Sequence, residues 1–141
     1  MDIDTGYGFR QWLLYEGRED LAEELSPEWC WHEIVQWAKC RDLLGTELHE
    51  KFIQKLVAGG CGMDLYRHQY FCGHNDDVFC ALLKSESPCA LYYHQLNCGQ
   101  RDDVLQALLA TSNEFWLLRY QENFGYRDDV TAALEALELK A

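Results

Sequence analysis

Residues 65–83 read LYRHQYFCGHNDDVFCALL, residues 91–109 read LYYHQLNCGQRDDVLQALL, and residues 117–135 read LLRYQENFGYRDDVTAALE. The three segments align without gaps at a spacing of 26 residues, and the first two are identical at 12 of 19 positions. Unrelated segments of this length would agree at about one position. The chain therefore contains an internal repeat, and this repeat decides the fold.

Each copy of the repeat has the pattern of two short helices joined by a turn. Apolar residues follow helical spacing up to a glycine, which is a residue that commonly ends a helix. The Asp-Asp pair after the glycine is typical of the first turn of a helix, where acidic groups complement the helix dipole. The pattern predicts a positive φ at the three equivalent glycines, which are Gly73, Gly99 and Gly125.

The N-terminal half contains divergent versions of the same unit. Ser26-Pro27 matches Ser87-Pro88, where a capping residue precedes Pro at the first helical position, and it predicts a helix that continues to Gly45. A partner helix is predicted over residues 47–58, ended by Gly59-Gly60. No segment alternates with the period of a strand.

These patterns predict an all-α fold. We expect a right-handed stack of about five short antiparallel helical hairpins with a 26-residue repeat, similar to an α-solenoid. Residues 1–141 are expected to form a single helical-repeat domain, with divergent hairpins at 8–60 and regular repeats at 62–139.

The repeat resembles the helical hairpins of known α-solenoid families. Its D-D-V-x-x-A-L ending is similar to HEAT repeats, and the pattern around Gly73 and His74 is similar to ankyrin helices. The period is shorter than in either family, since ankyrin units have about 33 residues and HEAT units roughly 40–47. The resemblance implies an architecture of stacked hairpins and leaves the function open.

Charge and composition exclude several classes of protein. The chain has 24 acidic and 12 basic residues, a formal net charge of −12, and 48% hydrophobic residues. Disordered and collagen-like classes do not have this composition. We expect no nucleic-acid partner, because phosphate contacts require clustered Lys and Arg.

The cysteines and the N-terminus predict a cytoplasmic location. The chain begins MDIDTGYGF, without the basic and apolar regions of a signal peptide, and no apolar run is long enough for a bilayer. Most of the seven cysteines lie within apolar helical patterns, where a free thiol packs as a small hydrophobic group. We therefore expect reduced thiols and no membrane partner.

The sequence predicts neither a metal site nor a catalytic site. His68 and Cys72 have the i, i+4 spacing of two zinc ligands, as do His94 and Cys98, and His74 lies close by in sequence. The equivalent residues in the last copy, however, are Tyr120 and Phe124. Positions that hold His and Cys in some copies and Tyr and Phe in another are better explained by apolar packing than by metal binding. No phosphate-binding loop or nucleophile motif is present, so we expect no cofactor and no enzymatic activity.

Repeated polar residues are interpreted as structural. The Asp-Asp pairs recur at the start of a helix in every copy, which favours capping over acid–base chemistry. The ladder of equivalent glutamines is expected to bond the backbone of the next hairpin, or to bond its own equivalents. Its members are Gln69, Gln95 and Gln121.

Positions that change character between copies indicate the exposed surface. The turn between the two helices of each hairpin contains such positions, and turns of successive hairpins line up along one edge of a solenoid. The predicted partner-binding residues there are His74, Arg101, Tyr126 and Arg127, and the alternative is that they are solvated turn residues without a partner. Trp29 and Trp31 would point to opposite sides of a helix, about 200° apart, so one of them is a predicted interface anchor. The alternative is a bent or longer core that buries both.

Two classes of function are compatible with these patterns. The first is an acidic protein–protein interaction module that binds a basic partner, a description similar to immunity or inhibitor proteins that neutralise a basic toxin or nuclease. The alternative is a small helical enzyme or ligand-binding domain with a pocket near the Trp-rich N-terminal helices. The absence of a matched nucleophile, base or metal set favours the first.

Overall fold

The computed structural model describes residues 5–59 and 61–140, with side chains as far as residue 138. Within these ranges the chain forms ten helices and no strand, which confirms the all-α prediction. The helices are α1 (Gly6–Tyr15), α2 (Glu19–Ala22), α3 (Trp31–Cys40), α4 (Glu47–Gly59), α5 (Gly62–Cys72), α6 (Asp76–Lys84), α7 (Pro88–Asn97), α8 (Asp102–Ala110), α9 (Glu114–Phe124) and α10 (Asp128–Lys140). None of the helices described is both long and apolar enough to span a bilayer.

The chain divides into two compact units, Met1–Ala58 and Gly59–Ala141. The division lies close to the predicted change from divergent hairpins to regular repeats. Whether the units form a single domain stays a prediction.

The first unit is organised around a cluster of aromatic rings. The ring of Phe52 on α4 lies 5.2 Å from that of Phe9 and 5.3 Å from that of Trp12, both on α1. Trp31 at the start of α3 stacks on Phe52 at 5.4 Å. Aromatic pairs at these distances add to the stabilisation that burial itself provides.

The third helix begins later than the sequence predicts. Residues 26–30 form no helix, because their backbone carbonyls serve α1. The N–H of Gly6 donates to the carbonyl of Trp29 at 2.7 Å, and the N–H of Tyr7 donates to the carbonyl of Pro27 at 3.1 Å. The first N–H groups of a helix have no partner within it, so this loop satisfies them. The Ser26-Pro27 helix start was therefore a wrong prediction.

The predicted partner helix, residues 47–58, corresponds to α4. It continues one residue further, to Gly59, and Gly60 lies outside the described residues.

The second unit consists of three helical hairpins, α5–α6, α7–α8 and α9–α10. Within it α5 also packs on α7, α7 packs on α9, and α6 packs on α8. Ser87 lies at the N-cap position of α7 and Pro88 at its first residue, as predicted, although the Ser87 side chain makes no capping hydrogen bond. The most buried apolar residues come from all three hairpins and are Val78, Leu82, Ala90, Leu91, Tyr92, Val104, Leu108, Leu117 and Val130.

Equivalent side chains join successive hairpins. The amide of Asn97 on α7 donates to the hydroxyl of Tyr66 on α5 at 2.7 Å, and the amide of Asn123 on α9 donates to the hydroxyl of Tyr92 on α7. The connections between hairpins also repeat, since Glu86 and Ser112 have φ values of 57° and 54°. The 26-residue repeat of the sequence is therefore also a repeat of these hydrogen bonds and of the backbone conformation between hairpins.

Candidate functional site

The turns within the three hairpins of the second unit form the candidate site. We define the turn edge as residues 73–77, 99–103 and 125–129, which join α5 to α6, α7 to α8, and α9 to α10. The predicted positive φ is confirmed at all three glycines, with values of 92°, 101° and 91°. Gly73 and Gly125 combine it with ψ of 175°, a conformation essentially restricted to glycine.

Buried glutamine side chains accept hydrogen bonds from the backbone of two of these turns. The Oε1 atom of Gln69 accepts the N–H of Asn75 at 2.7 Å, and that of Gln95 accepts the N–H of Arg101 at 2.7 Å. Each glutamine therefore bonds its own hairpin, and the predicted bond to the next hairpin was wrong for this pair. In the last copy Gln121 donates to the Thr131 hydroxyl at 3.2 Å instead. The bonds fix the backbone that carries the exposed turn residues.

The arginines of the turn edge are held by aspartates two residues later. Arg101 binds Asp103 through two hydrogen bonds of 3.0 Å, and Arg127 binds Asp129 through two of 3.1 Å. The guanidinium groups lower the pKa of both carboxyls. Paired in this way, each arginine presents a planar group in a fixed orientation.

Two successive turns are also joined directly to each other. Nη2 of Arg127 lies 3.6 Å from Oδ1 of Asp102, which belongs to the preceding hairpin. Since Arg127 also binds Asp129, it bridges carboxylates of two hairpins. The second and third turns therefore lie side by side and present one surface.

The first turn uses a histidine and an asparagine in place of the arginine. Nε2 of His74 lies 2.8 Å from Oδ1 of Asp76, and Nδ1 lies 3.2 Å from Nε2 of Gln69. Oδ1 of Asn75 accepts the N–H of Val78 at 3.1 Å and so caps α6. In all three hairpins the Asp-Asp pair lies in the first turn of the following helix, where its charge is favourable.

Four of the six predicted partner-binding residues lie together on the turn edge and are exposed. They are His74, Arg101, Tyr126 and Arg127. Tyr126 is the most exposed large apolar side chain described, at 86%.

The two tryptophans differ from that group. Trp31 is only 6% exposed and packs on Phe52, so its role as an interface anchor was a wrong prediction. The helical spacing behind that prediction does not apply, because α3 begins only at Trp31. Trp29 lies before the helix and is half-buried.

A cavity of about 270 Å³ opens between the first two hairpins of the second unit. Its lining consists of Gln69, Tyr70, His74, His94, Asn97, Cys98 and Arg101. It therefore lies beside the turn edge rather than at the tryptophan-rich N-terminal helices, where the alternative function had placed a pocket. Sequence reasoning assigned no surface role to Tyr70 and Asn97. The exposure of Tyr70 could have been predicted, because the equivalent residues are Leu96 and Glu122, and positions that change character between copies indicate the surface.

His94 forms the buried wall of this cavity. The residue is 3% exposed, its ring centre lies 5.4 Å from that of Phe79, and no described residue is a hydrogen-bond partner of its Nδ1. Burial, and next the positive charge of Arg101, lower the pKa of His94. His74, His94 and Cys98 are of the types that bind zinc, yet the positions equivalent to His94 are also buried, His68 at 1% and Tyr120 at 1%.

Comparison with protein-family models, with curated proteins and with solved structures finds no match to this chain. The charge, exposure and geometry of the turn edge therefore carry the functional argument.

Proposed function

We propose that the protein is an acidic protein–protein interaction module that binds a basic partner protein along the turn edge. The observation that carries the proposal is the bridge from Arg127 to Asp102, which joins turns of two hairpins into one surface. The two joined turns present neighbouring side chains to a partner, and the pairing of their arginines with aspartates reduces the entropy lost on binding.

The packing of the helices supports an α-solenoid as the scaffold. In a solenoid each repeat contacts only its neighbours, and α5, α7 and α9 pack in that order. We propose a right-handed stack of about five hairpins, related in style to HEAT and ankyrin repeats. Such a stack aligns equivalent turns along one edge, where a partner contacts several of them at once.

The charge of the turn edge favours a basic partner. The edge carries three Asp-Asp pairs and two arginines, and the arginines are already bound to aspartates. Asp77 and Asp128 are exposed and make no ion pair within the described part of the chain. Together with the net charge of −12, these carboxylates attract a basic protein and repel nucleic acid and anionic membranes.

The biological role that fits this chemistry is neutralisation of the basic partner. Small acidic proteins with this description resemble immunity and inhibitor proteins that block a basic toxin or nuclease. All seven cysteines are free in the structure, which supports a reducing compartment such as the cytoplasm.

A ligand-binding domain is the second candidate, and the cavity beside the turn edge is the observation that favours it. Its volume of about 270 Å³ is slightly below the roughly 300–1,000 Å³ of small-molecule sites. A cavity of this size accommodates one side chain of a bound protein, which is compatible with the first proposal as well.

The test is affinity capture from the native host with matched charge variants, read by quantitative mass spectrometry. Asp77→Asn with Asp128→Asn removes two charges from the turn edge. Glu86→Gln with Glu114→Gln removes two exposed charges from the opposite ends of the hairpins. We expect a basic protein to be captured in stoichiometric amounts by the native protein and by the Glu86/Glu114 variant, and far less by the Asp77/Asp128 variant.

Equal capture by all three proteins would overturn the turn edge as the binding surface. A co-purifying small molecule in place of a protein would favour the ligand-binding domain. Binding of the purified partner should also weaken as salt is added, because its charge attraction is screened.

A further inference from the structure

Three basic side chains converge on the ring of Phe79, where the first two hairpins of the second unit meet. The guanidinium carbon of Arg101 lies 4.4 Å from the centre of this ring, and the rings of His74 and His94 lie 5.3 Å and 5.4 Å from it. These three residues, which we call the basic cluster, all line the cavity of about 270 Å³. Phe79 is only 6% exposed, so the ring that supports the cluster is itself held in the core.

The second and third hairpins pack together without this combination of residues. The positions equivalent to Phe79 and to the basic cluster, 26 residues later, hold Leu105, Gln100, Tyr120 and Arg127. Packing of one hairpin on the next therefore does not require the two histidines. Their presence at the cavity points to a ligand that they contact.

The walls of the cavity favour a negatively charged ligand. None of its seven lining residues, all within the described part of the chain, is acidic, although the chain has 24 acidic and 12 basic residues. Asp76 and Asp103 pair with His74 and Arg101 but do not line the cavity. Asp103 accepts hydrogen bonds from Nε and Nη2 of Arg101, which leaves the N–H groups of Nη1 for a ligand.

His94 contributes a buried polar ring to the same cavity. It is 3% exposed, and its Nδ1 has no hydrogen-bond partner among the described residues. Burial, and next the charge of Arg101, lower the pKa of His94, so the imidazole is neutral at pH 7. A negatively charged acceptor in the cavity would balance the charge of Arg101 and accept an imidazole N–H.

We propose that the cavity binds a carboxylate attached to a flat apolar group. A carboxylate carries one charge, which the guanidinium of Arg101 balances, whereas phosphate carries more than one at pH 7 and would leave part of its charge buried without a partner. The planar guanidinium suits the two oxygens of a carboxylate. Tyr70 is 50% exposed and supplies an aromatic wall for the apolar group.

This inference names the ligand class of the ligand-binding candidate above and does not depend on a protein partner. The carboxylate belongs either to a free acid or to a protein bound at the turn edge, since both present the same group. The net charge of −12 repels anions at long range, but at about 0.15 M salt the Debye length of roughly 8 Å screens distant charges.

Titration of the purified chain with benzoate, followed by nuclear magnetic resonance of the histidine rings, tests the proposal. The ring resonances of His74 and His94 should shift until the site is saturated, and that of His32 in the first unit should not. Benzamide has the same ring but no charge, and it should bind at least about tenfold more weakly, since hydrogen bonds to charged groups are the stronger ones. Inorganic phosphate should also bind more weakly than benzoate.

Matched arginine variants locate the site. Arg101→Gln should weaken benzoate binding by about tenfold or more. Arg127→Gln is the control, because Arg127 pairs with an aspartate two residues later in the same way but does not line the cavity. It should bind benzoate like the native chain. Both arginines are exposed, so circular dichroism should be unchanged in both variants.

Affinity capture repeated with saturating benzoate identifies the source of the carboxylate. Unchanged capture of the basic partner assigns the cavity to a free acid, and reduced capture assigns it to a carboxylate of the partner. Both outcomes retain the carboxylate site. The titration uses the purified chain alone, so its failure would leave the turn edge proposal standing, and failure to capture a partner would leave the carboxylate site standing.

Histidine rings that do not respond to benzoate would overturn the proposal. Equal binding of benzamide would show that charge is not recognised, and tighter binding of inorganic phosphate would show that the ligand class is wrong. Benzoate binding that survives Arg101→Gln would place the site elsewhere.

Discussion

Asn97 is bound to Tyr66, 31 residues before it, by a 2.7 Å hydrogen bond that joins α7 to α5. Asn123 and Tyr92 are separated by the same 31 residues and make the same bond between α9 and α7. Thirty-one residues are one 26-residue period plus five, so the second and third hairpins of this unit are each bonded to the preceding hairpin through equivalent atoms. A bond that recurs in this way is part of the packing of the hairpins.

Removal of the Tyr66 hydroxyl should destabilise the protein by the value of one hydrogen bond. We expect Tyr66→Phe to lower the free energy of unfolding by about 0.5–1.5 kcal/mol, measured by urea denaturation. Tyr70→Phe is the matched control, because Tyr70 is 50% exposed and should change stability by less than about 0.5 kcal/mol. Equal effects of the two substitutions would contradict a structural role for the bond.

The turn glycines should not tolerate a side chain even though space is available. No atom lies within 4 Å of a Cβ built on Gly73 or Gly125, so any cost comes from the backbone conformation. We expect Gly73→Ala and Gly125→Ala each to destabilise the protein by about 1–3 kcal/mol in thermal or urea unfolding.

Gly59 provides the control for these substitutions. It lies at the end of α4, has equally open surroundings, and does not have a positive φ. Gly59→Ala should be neutral, or stabilising by about 0.5–1 kcal/mol, because Ala favours a helix. A loss of stability similar to that of the turn variants would show that bulk, and not φ, matters.

Burial of His94 should make stability depend on pH in the weakly acidic range. The folded pKa of His94 is lowered by burial, then by Arg101 and His74, against an opposing effect of Asp103. The unfolded chain binds the proton with an ordinary pKa of about 6.5. The free energy of unfolding is therefore unaffected by this group above about pH 6.5, and it falls as the pH decreases below that value.

The measurement is urea unfolding of the native protein and of His94→Gln at several pH values between about 7 and 5. The variant should show a smaller loss of stability across this interval, whatever its stability at neutral pH. An unchanged slope would mean that His94 is protonated equally in the folded and unfolded chain.

Tyr126 should contribute to partner binding without contributing to the fold. It is 86% exposed, and Tyr15 in the first unit is 83% exposed, so the two side chains form a matched pair. We expect Tyr126→Ala to reduce the capture of the partner, and Tyr15→Ala to leave it unchanged, with the same melting temperature for both variants. Equal capture by both variants would exclude Tyr126 from the interface.

Local patterns predicted the elements of the second unit well. These patterns depend only on residues close together in the sequence. Pro88 begins a helix and the three turn glycines have positive φ, as the repeat predicted. The exposed turn residues were also predictable, because positions that differ between copies are not constrained by a core.

Contacts between distant segments could not be predicted in the same way. Residues 26–30 had the pattern of a helix start, but their carbonyls bind the N–H groups of Gly6 and Tyr7. Trp31 is buried because Phe52, about twenty residues later, folds against it. The sequence near residues 26–31 does not show that they contact α1 and Phe52. These tertiary contacts overrode the local helix preference.

The identical spacing of the two Tyr–Asn pairs has a consequence for the length of the protein. A chain from which residues 88–113 were deleted would join Ser87 to Glu114 and would bring Asn123 to the place along the chain that Asn97 occupies. Asn123 would then meet Tyr66 at the original separation of 31 residues. The molecule is in this sense modular: whole periods can be removed or duplicated while the contacts between neighbours keep their register.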